Sequence, residues 1–261
     1  MCLILFSFDD TSSIPFIAAA NRDEFYQRPT AAVHYWQAHP KILAGRDLVG
    51  GGTWMGITVD GRFAAVTNVR EPDIVVNNPL SRGALTRGFL TGNQSPSDYL
   101  LAVEASKMRY RGFNLLVGEL TSDKRELFYL SNRQDGIIQL ASGVYGLSNH
   151  LLDSNWPKVE RGKEYLRHAL DNQSDIQQYH YTLRRFLEDS SLADDDTLPQ
   201  TGVSYEREKA LSAAFITLPD YGTRASTILT INHNSICVSE KSYGPSNSSS
   251  EEGITMFHIP L

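Results

Sequence analysis

Two hairpin signatures within the first seventy residues constrain the fold of this 261-residue chain more than any other feature. Trp54–Val59 and Arg62–Asn68 are strand-forming runs flanking Asp60-Gly61, a dipeptide that favours a two-residue type I′ turn. Earlier, Met1–Phe8 and Ile14–Ala20 flank the turn cluster Asp9-Asp10-Thr11-Ser12-Ser13 and read as another hairpin. Successive hairpins pair antiparallel, whereas parallel strands need long crossover connections. Phe113–Glu119, Arg125–Leu130, Val144–Ser148, Arg224–Ile231, Ile236–Ser242 and Ile254–Ile259 are further predicted strands. Helical spacing follows Ser95-Pro96, with Tyr99, Leu100, Val103 and Met108 on one side. It recurs at Val159, Leu166, Ala169 and Leu170, and at Ile176, Tyr179, Leu183, Phe186 and Leu187. Tyr205–Ala214 is predicted as a short helix, Ser190–Gly202 as a surface loop and Gly244–Gly253 as a mobile hairpin loop. The order strands, helices, strands, helices, strands gives an α+β class. With no repeat and no dividing linker, one domain over residues 1–261 is expected.

Charge and cysteine usage narrow the function. Lys and Arg total 24 against 30 Asp and Glu, a net charge of −6. That balance argues against a face built to neutralise phosphates, so nucleic acid is not an expected partner. No apolar run approaches the roughly 18 residues of a membrane span. The N-terminus, with no basic segment ahead of its apolar run, does not read as a signal peptide. Two cysteines without a CxxC pair point to a reducing, cytoplasmic setting. Seven histidines show no HExxH and no accompanying cysteine pair, so no metal site is expected. There is no CxxCH either, although a single histidine can still ligate haem reversibly.

Hairpin arithmetic locates the candidate chemistry. A symmetric turn at Asp9–Ser13 makes Cys2 face a residue between Ala20 and Arg22. Asn21-Arg22-Asp23-Glu24 then lies at the tip of the first strand, either beside the cysteine as part of a site or as a solvated strand end. A two-residue turn at Asp60-Gly61 pairs Val59 with Arg62 and sets Asn68 opposite Thr53, beside Gly50-Gly51-Gly52-Thr53-Trp54. No Lys-Ser/Thr follows those glycines, so they read as a turn leading into a strand and not as a phosphate loop. Cys237, inside a late strand, reads as core. Removal of Met1 would give Cys2 an α-amine with a pKa of about 8, able to act as general base for its own thiol.

These residues and several further motifs resemble the NRDE family, the family of transport and Golgi organisation protein 2. The motifs are Met1-Cys2, Ala20-Asn21-Arg22-Asp23-Glu24-Phe25, Arg28-Pro29 and Gly51-Gly52-Thr53-Trp54-Met55-Gly56. Thr67-Asn68-Val69-Arg70, Ser81-Arg82-Gly83, Leu147-Ser148-Asn149 and Tyr221-Gly222-Thr223-Arg224 follow in order. The resemblance implies a four-layer αββα sandwich of two mainly antiparallel sheets, the fold of N-terminal-nucleophile hydrolases. By similarity to the cysteine amidases of that class, Cys2 matches the nucleophile and Asp23 the aspartate that holds the α-amine. Asn68 matches the oxyanion-hole asparagine, Asn149 the second active-site asparagine and Arg224 the arginine near the thiolate. Asn21, Arg22, Glu24, Thr53 and Trp54 are implied as ligand-binding. Those amidases carry an early arginine where this chain has Ala20, and Arg22 stands two positions along. Two roles follow from the resemblance. One is a cytosolic carrier of an amphipathic ligand, haem or acyl-CoA, with no required cofactor and haem only as cargo. The other is a Cys2-dependent hydrolase of N-acyl or other linear amides.

Overall fold

The computed structural model describes residues 2–121, 123–172, 175–244 and 253–261. Met1 and most of the predicted 244–253 loop lie outside the described residues. Thirteen strands among the described residues form two antiparallel sheets.

The first sheet has the order β10-β1-β2-β11-β12-β13. Its strands are β1 (Cys2–Phe8), β2 (Phe16–Phe25), β10 (Gly143–Leu147), β11 (Tyr221–Ile231), β12 (Ser235–Ser242) and β13 (Thr255–Pro260). The second runs from β3 to β9 in chain order: β3 (Thr30–Trp36), β4 (His39–Asp47), β5 (Met55–Thr58), β6 (Arg62–Asn68), β7 (Phe113–Leu120), β8 (Arg125–Ser131) and β9 (Ile138–Gln139). Strand alternation divides the side chains between layers. Ile4, Phe6, Ala18 and Ala20 of the first sheet meet Leu43, Ile57, Phe63 and Leu116 of the second in the inter-sheet core. Leu3, Leu5, Ile17 and Ala19 point the other way, onto Val159, Leu166, Leu183 and Phe186. Those four lie on α3 (Pro157–Asn172) and α4 (Ile176–Leu187). The outer face of the second sheet packs α1 (Gly83–Thr91) and α2 (Pro96–Ser106) through Leu85, Phe89, Leu100 and Val103. The result is the expected αββα layering. No helix among the described residues is long and apolar enough to cross a membrane.

Several local expectations are corrected. The β5–β6 connection has three residues, not two: Met55 pairs with Ala65 and Ile57 with Phe63. Gly61 adopts φ +82° and the Arg62 N–H donates to Thr58 Oγ1 at 2.9 Å, so the turn ends in a left-handed residue and the register slips by one. The helix at Tyr205 (α5, Tyr205–Ala210) ends four residues early. Met108 lies past the end of α2 and is exposed. Sequence reading missed β3, β4, β9 and α1. In β3 only Val33 and Trp36 are buried, too sparse a pattern to stand out. In α1 no side chain caps the N-terminus, so its start lacks the usual signal.

Candidate functional site

The β1–β2 register pairs Cys2 with Arg22, at the edge of the expected range. Cys2 continues the inward-facing series of Ile4 and Phe6, and Arg22 that of Ala18 and Ala20, so both reach the inter-sheet side at one end of the sandwich. A cleft of about 870 Å³ opens there, walled by both sheets.

Burial pushes the Cys2 thiol up, and the nearby Asp23 carboxylate pushes it further. The Arg22 guanidinium and the Asp23 backbone N–H act in the opposite direction. Arg22 is 8% exposed. Its Nη2 is 3.6 Å from Glu24, while its buried Nη1 has no hydrogen-bond partner among the described residues. Asp23 is fully buried, with Oδ1 accepting from Thr223 Oγ1 at 2.8 Å and its carbonyl from Tyr221 Oη at 2.9 Å. Burial raises its pKa, and Lys158 is the foremost charge opposing that rise. Lys158, near the start of α3, is buried and donates to the Leu211 carbonyl at 2.9 Å. Desolvation lowers its pKa to about 8, with Asp23 the leading charge that holds it up.

The strand partner of Asp23 carries a bulge. β11 pairs Thr223 with Asp23 and Ala225 with Arg22, leaving Arg224 as the extra residue. Its guanidinium lines the cleft but is tied to backbone carbonyls, with Nη1 to Tyr26 at 2.9 Å and Nε to Tyr243 at 3.2 Å. The resemblance expects Arg224 beside the sulfur. In the structure Arg22 is the arginine whose charge lowers the Cys2 pKa, because cross-strand pairing holds it opposite Cys2 while the bulge turns Arg224 toward the β2–β3 turn.

Asn68 ends β6 and lines the cleft. Asn149 does not line it: fully buried, its Nδ2 donates to the Asn68 carbonyl at 3.0 Å and its own carbonyl accepts from the Arg70 N–H at 2.7 Å. It therefore fixes the backbone that carries Asn68. The neighbouring Ser148 hydroxyl donates to the Cys2 carbonyl at 3.1 Å.

The implied ligand-binding residues divide. Glu24, Thr53 and Trp54 line the cleft with Arg22, although the Thr53 hydroxyl is used by the Met55 carbonyl at 2.9 Å. Asn21 is corrected: it faces the helix layer, fully buried. Its Nδ2 donates to the Leu187 and Ala214 carbonyls at 2.7 and 2.8 Å, and its Oδ1 accepts from Ser226 Oγ at 2.6 Å. The strand alternation that sends Arg22 into the cleft sends Asn21 away from it. The glycine run allows a close backbone approach, since a Cβ on Gly52 would lie 2.2 Å from the Gly83 carbonyl oxygen at the start of α1.

Sequence reading missed the charge of this cleft. Arg22, Arg28, Arg46, Arg82, Arg111, Arg207 and Arg224 line it, against Asp23, Glu24, Asp47 and Glu240. Asp47 is neutralised by Arg28 at 2.8 Å, and burial raises the pKa of Glu240 as it does that of Asp23. The seven arginines are scattered from residue 22 to 224, so no local run signals them. Lys158 was equally hidden, as one charge among many on an amphipathic helix. Among the described residues no group of three or more His, Cys, Asp or Glu could hold a metal ion.

The structure is similar to a cysteine-to-alanine mutant of conjugated bile acid hydrolase from Clostridium perfringens, with TM-score 0.54, 9% identity, and coverage of 99% of this chain and 92% of that one. An arginine-to-leucine variant of the same hydrolase gives TM-score 0.53 at 10% identity, covering 98% and 92%. At such identity the likeness is one of fold, the α+β sandwich of N-terminal-nucleophile hydrolases. In sequence, a transport and Golgi organization protein 2 homolog from Bos taurus is 36% identical over 254 residues, 89% of each chain. The Homo sapiens homolog is 32% identical over 247 residues, again 89% of each. The Transport and Golgi organisation 2 family model matches residues 1–245. This chain belongs to the Transport and Golgi organisation 2 family.

Proposed function

We propose that the protein is a cytoplasmic carrier of an anionic amphipathic small molecule, with haem and long-chain acyl-CoA as the candidate ligands. The observation that carries this reading is the seven-arginine cleft of about 870 Å³. Its size falls within the ~300–1,000 Å³ of small-molecule sites. Guanidinium groups bind carboxylate and phosphate through paired donors, and the buried Nη1 of Arg22 gains a partner when an anion enters. Trp54, Val66 and Leu80 supply apolar wall for the body of the ligand. Titration of the purified chain with haem and with acyl-CoA, followed by tryptophan fluorescence, tests the proposal. Saturable binding to one of them that weakens in Arg22→Gln supports it. No saturable binding to either at micromolar concentration overturns it.

A second reading, amide hydrolysis, is favoured by Cys2 and Asn68 lining one cleft. The raised pKa keeps the thiol protonated at neutral pH, so it needs a base. With the residue before Cys2 removed, the α-amine takes the thiol proton and the sulfur attacks the amide carbonyl carbon. The Asn68 amide donates to the resulting oxyanion. The C–N bond then breaks, the amine leaves with the proton, and water hydrolyses the thioester to a carboxylic acid and free thiol. Intact-mass measurement on protein from cells comes first. If the preceding residue is retained, or if Cys2→Ala hydrolyses N-acyl amides as well as the parent, this reading fails.

A further inference from the structure

The mouth of the cleft carries an apolar rim that the binding reading leaves unexplained. Of the sixteen exposed large apolar side chains among the described residues, six stand on segments bordering this opening. They are Phe25, Leu48, Val49, Ile74, Val75 and Leu80, with Val75 80% and Val49 64% exposed. Phe25 and Leu80 line the cleft itself. Leu48 and Val49 directly precede the cleft-lining Gly50, and Ile74 and Val75 lie in the segment leading to Pro79 and Leu80.

Both loops hold these side chains out on braced backbone. Asp47 Oδ1 accepts from the N–H groups of Val49 and Gly50, each at 2.9 Å, and the Asp47 carboxylate is clamped by Arg28. The Ile74 N–H bonds the Glu71 carbonyl, and the Glu71 carboxylate is gripped by Arg133 and by the Gly112 N–H at 2.7 Å. The apolar side chains thus face solvent from fixed turns, an arrangement that costs solvation and marks an interaction surface.

Cations share the same rim. Arg111 and Arg207 line the opening, and Arg87 packs beside Gly51. This concentration of positive charge opposes the net charge of −6 of the whole chain. Exposed apolar side chains on loops that lead into a cationic opening complement a surface that is anionic outside and hydrocarbon beneath.

We infer that the cleft mouth docks onto an anionic membrane surface, with Leu48-Val49 and Ile74-Val75 inserting below the headgroups and the rim arginines pairing with them. The inference extends the carrier reading, because an amphipathic ligand could then pass between bilayer and cleft without crossing water. Its test requires no ligand.

The full chain is mixed with vesicles of phosphatidylcholine alone, or of phosphatidylcholine with added phosphatidylserine, and floated through a density gradient. Co-flotation is expected with the serine-containing vesicles and not with the neutral ones. It should fall by about fivefold for Arg111→Gln, the effect of losing one basic contact at such a surface. It should be lost in Leu48→Ser/Val49→Ser and reduced in Ile74→Ser/Val75→Ser, both checked for native circular dichroism. Absence of flotation overturns the inference. So does flotation that the serine variants leave unchanged, since charge alone would then explain it. Haem and acyl-CoA titrations of the parent chain and of Leu48→Ser/Val49→Ser separate the readings: ligand binding without flotation in the variant leaves the carrier proposal standing, and flotation without ligand binding in the parent leaves this one.

Discussion

Cys2 and Arg22 are cross-strand partners, held opposite each other by the β1–β2 ladder with both side chains on the cleft side of the first sheet. The pairing sets a contest over the thiol. Burial and Asp23 push its pKa up, and Arg22 pulls it down. Arg22→Gln should therefore raise the Cys2 pKa further and slow its alkylation by iodoacetamide several-fold at about pH 8, where the thiolate fraction limits the rate. Mass spectrometry of the modified chain over a pH series measures this. An unchanged profile would mean that the guanidinium does not act on the sulfur.

Asn21, one residue earlier, should behave oppositely. Its amide ties β2 to the Leu187 and Ala214 carbonyls and to Ser226. Asn21→Ala strands those groups in a dry interface and should cost about 2–3 kcal/mol of stability. Cys2 alkylation in the folded protein should be little changed. Denaturant unfolding and the alkylation profile, taken together, distinguish a structural Asn21 from one that contacts ligand.

Glu240 links the two sheets near the cleft. From β12 it accepts from the Val33 N–H of β3 and from Thr227 Oγ1, each at 2.7 Å. Glu240→Ala leaves both donors unpaired and should lower stability by about 2–3 kcal/mol. Glu240→Gln keeps one acceptor oxygen and should lose about half as much. A full loss in Glu240→Ala with none in the isosteric Glu240→Gln would show that side-chain volume, not hydrogen bonding, joins the sheets there.

His180 gives the fold an acid limb. It is buried between α4 and the first sheet, with Nδ1 2.7 Å from Ser239 Oγ and Nε2 3.2 Å from Thr230 Oγ1. Burial, aided by Arg184, lowers its pKa to about 4. The unfolded chain titrates this histidine near 6.5, so below that pH it binds a proton that the folded state refuses. The stabilisation from keeping His180 neutral is complete above roughly pH 6.5. It is lost as pH falls toward 4, by up to about 3 kcal/mol. Urea unfolding across this range should show the decline, and His180→Gln should flatten it.

Much of the architecture was legible in the chain. The opening hairpin, most of the central strands and the helices α2, α3 and α4 follow from period-two and period-3.6 apolar patterns, because each element buries one face. The adjacency of Cys2 to the Asn21–Glu24 segment followed from turn arithmetic, since antiparallel register is set by where the chain reverses. The same arithmetic missed by one residue at Gly61, where a left-handed glycine adds a residue that the dipeptide signal does not reveal.

The tertiary structure alone decided which polar groups share the cleft. Asn21 and Arg22 are neighbours in sequence, yet strand alternation puts one under the helices and the other beside the sulfur. Arg224 carries a matching motif, but a bulge aims it at backbone carbonyls. Asn149 acts through the carbonyl of Asn68. The cationic lining comes from arginines up to about two hundred residues apart, and the charge of Lys158 acts on Asp23 from a helix whose sequence shows only amphipathic spacing. Local sequence sets how each segment folds because that depends on nearest neighbours along the chain. The charge of a cleft is a sum over residues that meet only when the sheets pack, and no local pattern records it.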